Sequence, residues 1–310
     1  MRRRRARIAA QAALALLIVL GSSWALFRHT LYEPPAQKPR PHPRAEGAVV
    51  VAVSGEVLRL SPGKGPSALA VGQRLSPEDS VHTGHGAHTD LVLGARGRIT
   101  VAEGTQLTVR EVTRKLHRLK LSRGRIAVDY EADGERVLRV EGDDRAVAEA
   151  QAARFGMLST GAAVAVATGT GAVRLSAHEH TVTVPAGAGA VALRGQPPSS
   201  AEPIPKSLLL RIAAAPAAPA EAVCADVRGA VPRGAEVSVD GAPVAVAADG
   251  SFHVRVPAAP RRKSVRLDIR DAAGRQARRT VPCEAPPAGD APMHLQEDVA
   301  IDVGEEERPP

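Results

Sequence analysis

Aromatic side chains are nearly missing: three Phe, two Tyr and one Trp serve 310 residues. Beyond the N-terminal apolar run only Tyr32, Tyr130, Phe155 and Phe252 remain. That excludes the stacked rings with which single-stranded nucleic acid is gripped, and it weakens a carbohydrate-binding reading, which wants flat aromatic faces. Cysteine is limited to Cys224 and Cys283, which fit one disulfide in an oxidising compartment. No serine sits in a nucleophile elbow. No set of residues reads as a catalytic or cofactor site, so the chain is expected not to be an enzyme.

A bias of charge is missing too, once it is counted by region. The net charge of +8 and pI near 10.1 would ordinarily raise nucleic acid as a partner. Residues 1–44 hold nine Arg or Lys against Glu33 alone, and the other 266 residues carry 32 basic and 32 acidic side chains. The basicity therefore belongs to the N-terminus, and no nucleic-acid partner is expected.

That N-terminus begins with Arg2, Arg3, Arg4, Arg5 and Arg7 and continues as an apolar run over residues 8–27. About 20 apolar residues span one hydrocarbon core as a helix. The flanking arginines would hold residues 1–7 in the cytoplasm as a short stub, with the bulk of the chain in the periplasm. The same residues also read as a cleavable signal peptide, with Ser23-Trp24-Ala25 offering small residues at a cleavage site. The expected location is the inner membrane, single-pass, or the periplasm as a soluble chain if residues 1–25 are removed. Residues 28–46 are Pro-rich and basic and read as a spacer that stands a domain off the bilayer.

From residue 47 to about 195 the pattern becomes short alternating strands broken by turns. Asp90-Leu91-Val92-Leu93, Arg98-Ile99-Thr100-Val101 and His117-Arg118-Leu119-Lys120-Leu121 alternate with period two, before Gly124-Arg125-Ile126-Ala127-Val128. Further strands fall at 137–140, 163–167, 172–175, 180–184 and 190–193. Ten or more strands at such spacing predict an all-β domain, either sandwich or solenoid. Residues 145–154 (RAVAEAQAAR) are strong helix formers set among strands, and the sequence leaves helix and strand both open there.

The stretch Leu75-Ser76-Pro77-Glu78-Asp79-Ser80-Val81-His82-Thr83-Gly84, then Thr89-Asp90-Leu91-Val92-Leu93, Gly104-Thr105-Gln106-Leu107 and Leu119 to Val128, resembles the FecR domain of bacterial envelope proteins. Gly171-Ala172-Val173-Arg174-Leu175 resembles its late step, whereas Ala153-Arg154-Phe155-Gly156 replaces the family's Gly-Thr before a Phe. The resemblance implies an elongated, solenoid-like β structure outside the cytoplasm. Family members that regulate sigma factors carry a substantial cytoplasmic segment before their membrane helix. Residues 1–7 are too short to hold a sigma factor, so that binding is not carried over.

Residues 196–220 read as a linker, within which 207–212 reads as a first strand of the next domain. From 221 to 284 a small β module is legible. Asp240-Gly241 marks a tight hairpin and Asp249-Gly250 a second turn. This part resembles bacterial immunoglobulin-like modules, a β-sandwich, through VSVDGAPV, DGSF and the DAAGR turn at 271–275. Cys224 and Cys283 fall on its early and last strands, which predicts a disulfide between them. The tail, 285–310, is acidic and expected to be disordered; from Glu284 onward it has eight acids against Arg308.

His82, His85 and His88 are the only cluster that could pass for a metal site, and solvated loop histidines are the expected reading. No metal or cofactor is therefore assigned. Glu78-Asp79, Asp143-Asp144 and His178-Glu179-His180 are expected at turns. The sequence thus predicts a single-pass envelope protein whose two β domains bind an envelope partner protein through edge strands or loops, in sensing or scaffolding. A structural module binding cell-wall glycan is the alternative.

Overall fold

The computed structural model describes residues 47–132, 134–206, 208, 211–214, 223–259 and 262–283. The expected stub, apolar segment, spacer and acidic tail lie outside the described residues. No helix long and apolar enough to cross a membrane occurs among those described. Every regular element there is a strand. All belong to one compact unit, Ala45–Pro310.

Sixteen strands form the N-terminal sheets. They begin with β1 (Ala48–Ser54), β2 (Val57–Leu60), β3 (Ser67–Ala68), β4 (Arg74–Leu75) and β5 (Ser80–Thr83). Next come β6 (His88–Leu93), β7 (Gly97–Val101), β8 (Gln106–Val112), β9 (Leu116–Glu131) and β10 (Val137–Glu141). The set closes with β11 (Val147–Ala150), β12 (Ala152–Ser159), β13 (Ala163–Ala177), β14 (His180–Pro185), β15 (Ala188–Leu193) and β16 (Glu202–Pro203).

Two of these strands are long, and each serves two sheets. The second half of β9 pairs with β7 and β12, and the first half of β13 with β12 and β15, giving the order β4-β1-β6-β7-β9-β12-β13-β15-β16. The first half of β9 and the second half of β13 complete β3-β2-β5-β8-β9-β10-β11-β13-β14. Among the described strands only β9 and β10 run parallel. One hydrophobic cluster takes residues from both sheets, among them Leu91, Ile99 and Met157 from the first and Leu107, Leu121 and Leu175 from the second.

The crossing points are written in the alternation. Along β9 the buried residues are His117, Leu119 and Leu121, then Gly124, Ile126, Val128 and Tyr130. The parity changes at Gly124, and a one-residue slip turns the strand's apolar set to the other face. Gly124 has φ +89, and a Cβ there would lie 2.4 Å from Thr105 Oγ1. Gly171 does the same for β13, with φ +73 and the Ala152 carbonyl oxygen 2.2 Å from its missing Cβ. Only glycine fits either corner. The sequence divides each of these stretches into two strands; the structure keeps one bent strand across the glycine.

Residues 145–154 resolve as β11 and the start of β12, not as helix. β11 fills the gap between β10 and β13, and that pairing outweighs helix preferences of a few tenths of a kcal/mol per residue.

The C-terminal strands are β17 (Arg211–Ala214), β18 (Val223–Ala230), β19 (Glu236–Val239), β20 (Ala242–Val244), β21 (Ser251–Pro257), β22 (Ser264–Arg270) and β23 (Gln276–Pro282). They form a three-stranded sheet, β17-β18-β21, and a four-stranded one, β20-β19-β22-β23. Val227, Phe252, Val237, Leu267 and Ile269 share one cluster between them. Asp240 and Gly241 both take positive φ, as the β19–β20 hairpin requires. A disulfide joins Cys224 on β18 to Cys283 just after β23, tying one sheet to the other.

Candidate functional site

The two sets of sheets meet through an unusual patch. Buried residues normally alternate along a strand, but residues 155–159 and 163–168 are buried without interruption. Continuous burial means that both faces are covered. Met157, Val164 and Val166 enter the main core, whereas Leu158, Ala165 and Ala167 point away from it and pack with Ala272. Gly234 lies against Ala165 and Val191. Arg275, braced by Asp271 at 2.5 Å, donates to the Pro205 carbonyl, and Arg270 pairs with Glu103.

Beside this contact a cleft of about 600 Å³ opens between turns of the N-terminal sheets and the outer face of β19–β22. The turns are set by the motif that resembles the FecR domain. Thr83 Oγ1 donates to the Ala102 carbonyl at 2.6 Å and accepts from the Thr105 amide at 2.9 Å. Thr105 Oγ1 in turn accepts from the Arg125 amide at 3.0 Å. On the other wall Glu236, Ser238, Arg266, Asp268 and Arg270 project from the same sheet face, because alternate strand residues share a side.

Four arginines line the cleft: Arg123, Arg125, Arg266 and Arg270. Burial pushes the Arg125 guanidinium pKa down, Asp271 opposes that shift, and Arg270 adds to it. Its Nε is sealed from solvent without a hydrogen-bond partner. These arginines were not singled out by sequence reasoning. The available signals were Arg123-Gly124-Arg125 at the corner and the alternation Arg266-x-Asp268-x-Arg270.

The three candidate histidines fall into different settings. His82 lies within β5 between Leu58 and Gln106; its Nε2 is sealed without a partner, and burial lowers its pKa. His85 is exposed, with Nδ1 3.2 Å from Glu103, and His88 is exposed at the start of β6. Among the described residues, no group of three His, Cys, Asp or Glu is placed to hold a metal ion.

Of the acidic pairs, Glu78, Asp79 and Asp144 have their carboxylates engaged at turns. Asp79, 2% exposed, accepts hydrogen bonds from Arg59 (2.6 Å), Ser61 (2.5 Å) and the Ser76 amide (2.6 Å). Burial alone would raise its pKa, but these donors together hold it below the ordinary value. Glu78 takes φ +69 and pairs with Arg110. Asp144 accepts from the Gly195 amide and from His178 Nε2 (2.9 Å), which join three turns and lower its pKa.

One buried polar pair lies apart from the cleft. His117 Nδ1 is 3.2 Å from the Tyr130 hydroxyl, with the rings edge to face. Burial, reinforced by the Arg136 charge, lowers the His117 pKa to about 4, and burial raises that of Tyr130 to about 12.

No curated protein was found to match the chain. Two crystal structures of a candidate anti-sigma factor from Parabacteroides distasonis ATCC 8503 are similar to it, at 15% and 14% identity and a TM-score of 0.35 in each case. The similarity covers 39% of this chain and 59% of that one, so the chain spans somewhat more than half of the relative's length. Residues 79–174, which run from the buried Asp79 to the second half of β13, match the family described as FecR protein.

Proposed function

We propose that this chain is a non-enzymatic, membrane-anchored envelope protein that binds partner proteins in signal reception or scaffolding. The FecR match over residues 79–174 carries the reading. In this reading residues 8–27 anchor the chain in the inner membrane, and 47–195 form an elongated, solenoid-like FecR domain in the periplasm. Residues 221–284 form an immunoglobulin-like sandwich; two sheets around one core support that assignment. Sigma-factor binding is not part of the proposal.

The geometry favours β14 as the docking edge. β3, β4 and β16, at the other ends of the N-terminal sheets, have two residues each, whereas β14 has six and, among the described residues, pairs only with β13. An edge of that length offers unpaired backbone groups to an extended partner segment. Proximity labelling from the full chain in its native envelope tests the reading. Enrichment of a partner protein that drops at least fivefold with Thr183→Lys, at an unchanged melting temperature, is expected. Absence of any enriched envelope protein overturns the proposal, and undiminished enrichment with Thr183→Lys overturns the assignment to β14.

A further inference from the structure

We propose that the β22–β23 face and its adjoining cleft bind extended acidic polypeptide, and that residues 284–310 of this same chain are the occupant. The inference does not depend on the signalling role.

Charge by region is its first support. Residues 223–283 carry eleven Arg or Lys against six Asp or Glu, whereas 284–310 carry eight acids against Arg308. The balance of the chain beyond residue 44 thus hides a basic module joined directly to an acidic segment. The hairpin supplies the whole of that excess: over residues 262–283 Arg262, Lys263, Arg266, Arg270, Arg275, Arg278 and Arg279 stand against Asp268 and Asp271, although Arg262 and Arg270 pair with Asp240 and Glu103 outside it.

Placement is the second support. Arg266 and Arg278 share one carboxylate, Asp268, at 3.0 and 2.7 Å, with their side chains 48% and 69% exposed. A guanidinium has five N–H donors, so one carboxylate leaves much of both forks facing water. Across the cleft Arg123 is exposed and has no ion-pair partner among the described residues. The carboxylates lining the cleft, Glu103, Glu236 and Asp268, are fewer than its arginines, Arg123, Arg125, Arg266 and Arg270, so guanidinium donors remain for an anion.

The third support is where the acidic segment starts. Ser264 pairs with Pro282, and the Cys283 amide donates to the Lys263 carbonyl at 2.8 Å. The chain therefore leaves the hairpin two residues along β22 from Arg266. Twenty-seven further residues reach up to roughly 90 Å when extended, against about 24 Å for a seven-residue strand. Among the described residues β23 is also the edge of its sheet, paired only with β22. A tethered segment acts at an effective concentration in the millimolar range, so weak individual ion pairs suffice to hold it. Salt screens such contacts over about 8 Å at physiological strength.

The test uses the full-length chain with its eight tail acids converted to amides, from Glu284→Gln and Asp290→Asn through Glu307→Gln. Binding of a fluorescent peptide of residues 284–310 is measured by anisotropy. The neutral-tail chain should bind it at least tenfold more tightly than the wild-type chain, whose own tail competes. That binding should weaken at least tenfold between 50 and 300 mM NaCl, and a further Arg266→Ser/Arg278→Ser pair should weaken it at low salt. Amide hydrogen exchange on β23 should be faster in the neutral-tail chain than in wild type. Equal binding to both chains, binding that survives loss of the arginines, or β23 exchange as fast in wild type as in the neutral-tail chain would overturn the proposal.

Discussion

The Ala272 carbonyl oxygen lies 1.7 Å from the point that a Cβ on Gly156 would occupy. The turn at 271–274 therefore reaches the N-terminal sheets only because residue 156 is glycine. Alternate strand positions around it, Leu158, Ala165 and Ala167, are apolar on the face turned away from the main core. Gly156→Val should cost roughly 1–3 kcal/mol of overpacking and separate the two sets of sheets. Small-angle scattering should show a larger radius, and trypsin should cut at Lys206 at least tenfold faster. Unchanged scattering and cleavage would refute the contact.

Asp79 organises the turn before β5 by accepting from a guanidinium, a hydroxyl and an amide at once. Asp79→Asn removes the charge and should lower stability at pH 7 by roughly 1–3 kcal/mol. Its pKa is lowered on folding from 3.8. The stabilisation is thus present above pH 4 and lost as pH falls through the folded value. Denaturant melts of the wild type should weaken in that acid range, and melts of the variant should weaken less.

His117 predicts a second pH effect, in a separate window. Its pKa falls from 6.5 to about 4 on folding, so the folded chain disfavours the protonated ring. Stability should be complete above pH 6.5 and decline between there and pH 4, by roughly 3 kcal/mol in all. His117→Gln should flatten the melting temperature across that window. An equal slope in both proteins would place the titration elsewhere.

The Cys224–Cys283 disulfide closes a loop of 59 residues in sequence separation. On the chain-entropy model such a loop is worth about 4 kcal/mol, a large share for so small a pair of sheets. Reduction, or the Cys224→Ser/Cys283→Ser pair, should speed exchange of the β18 and β22 amides at least a hundredfold. Amides of β9 and β13 should be little affected, because their core draws on neither cysteine.

Local signals were enough for the strand class, the hairpin at Asp240-Gly241 and the cysteine pair. Alternation and turn residues act over a few positions, and the two cysteines had no other partner. The same signals misread the two glycine corners as strand ends, since a positive φ looks alike in a turn and in a bend. The arginine-lined cleft was not legible at all, because its walls come from residues more than a hundred positions apart.

Dominance of β elements, the regional placement of charge and the identity of the paired cysteines were readable along the chain, since each depends on composition or short-range pattern. Three-dimensional packing was needed to make residues 147–150 a strand, to let β9 and β13 each join two sheets, and to set Ala272 against Gly156. Those outcomes depend on which distant backbones come within a hydrogen bond or a van der Waals radius, and no local preference encodes that.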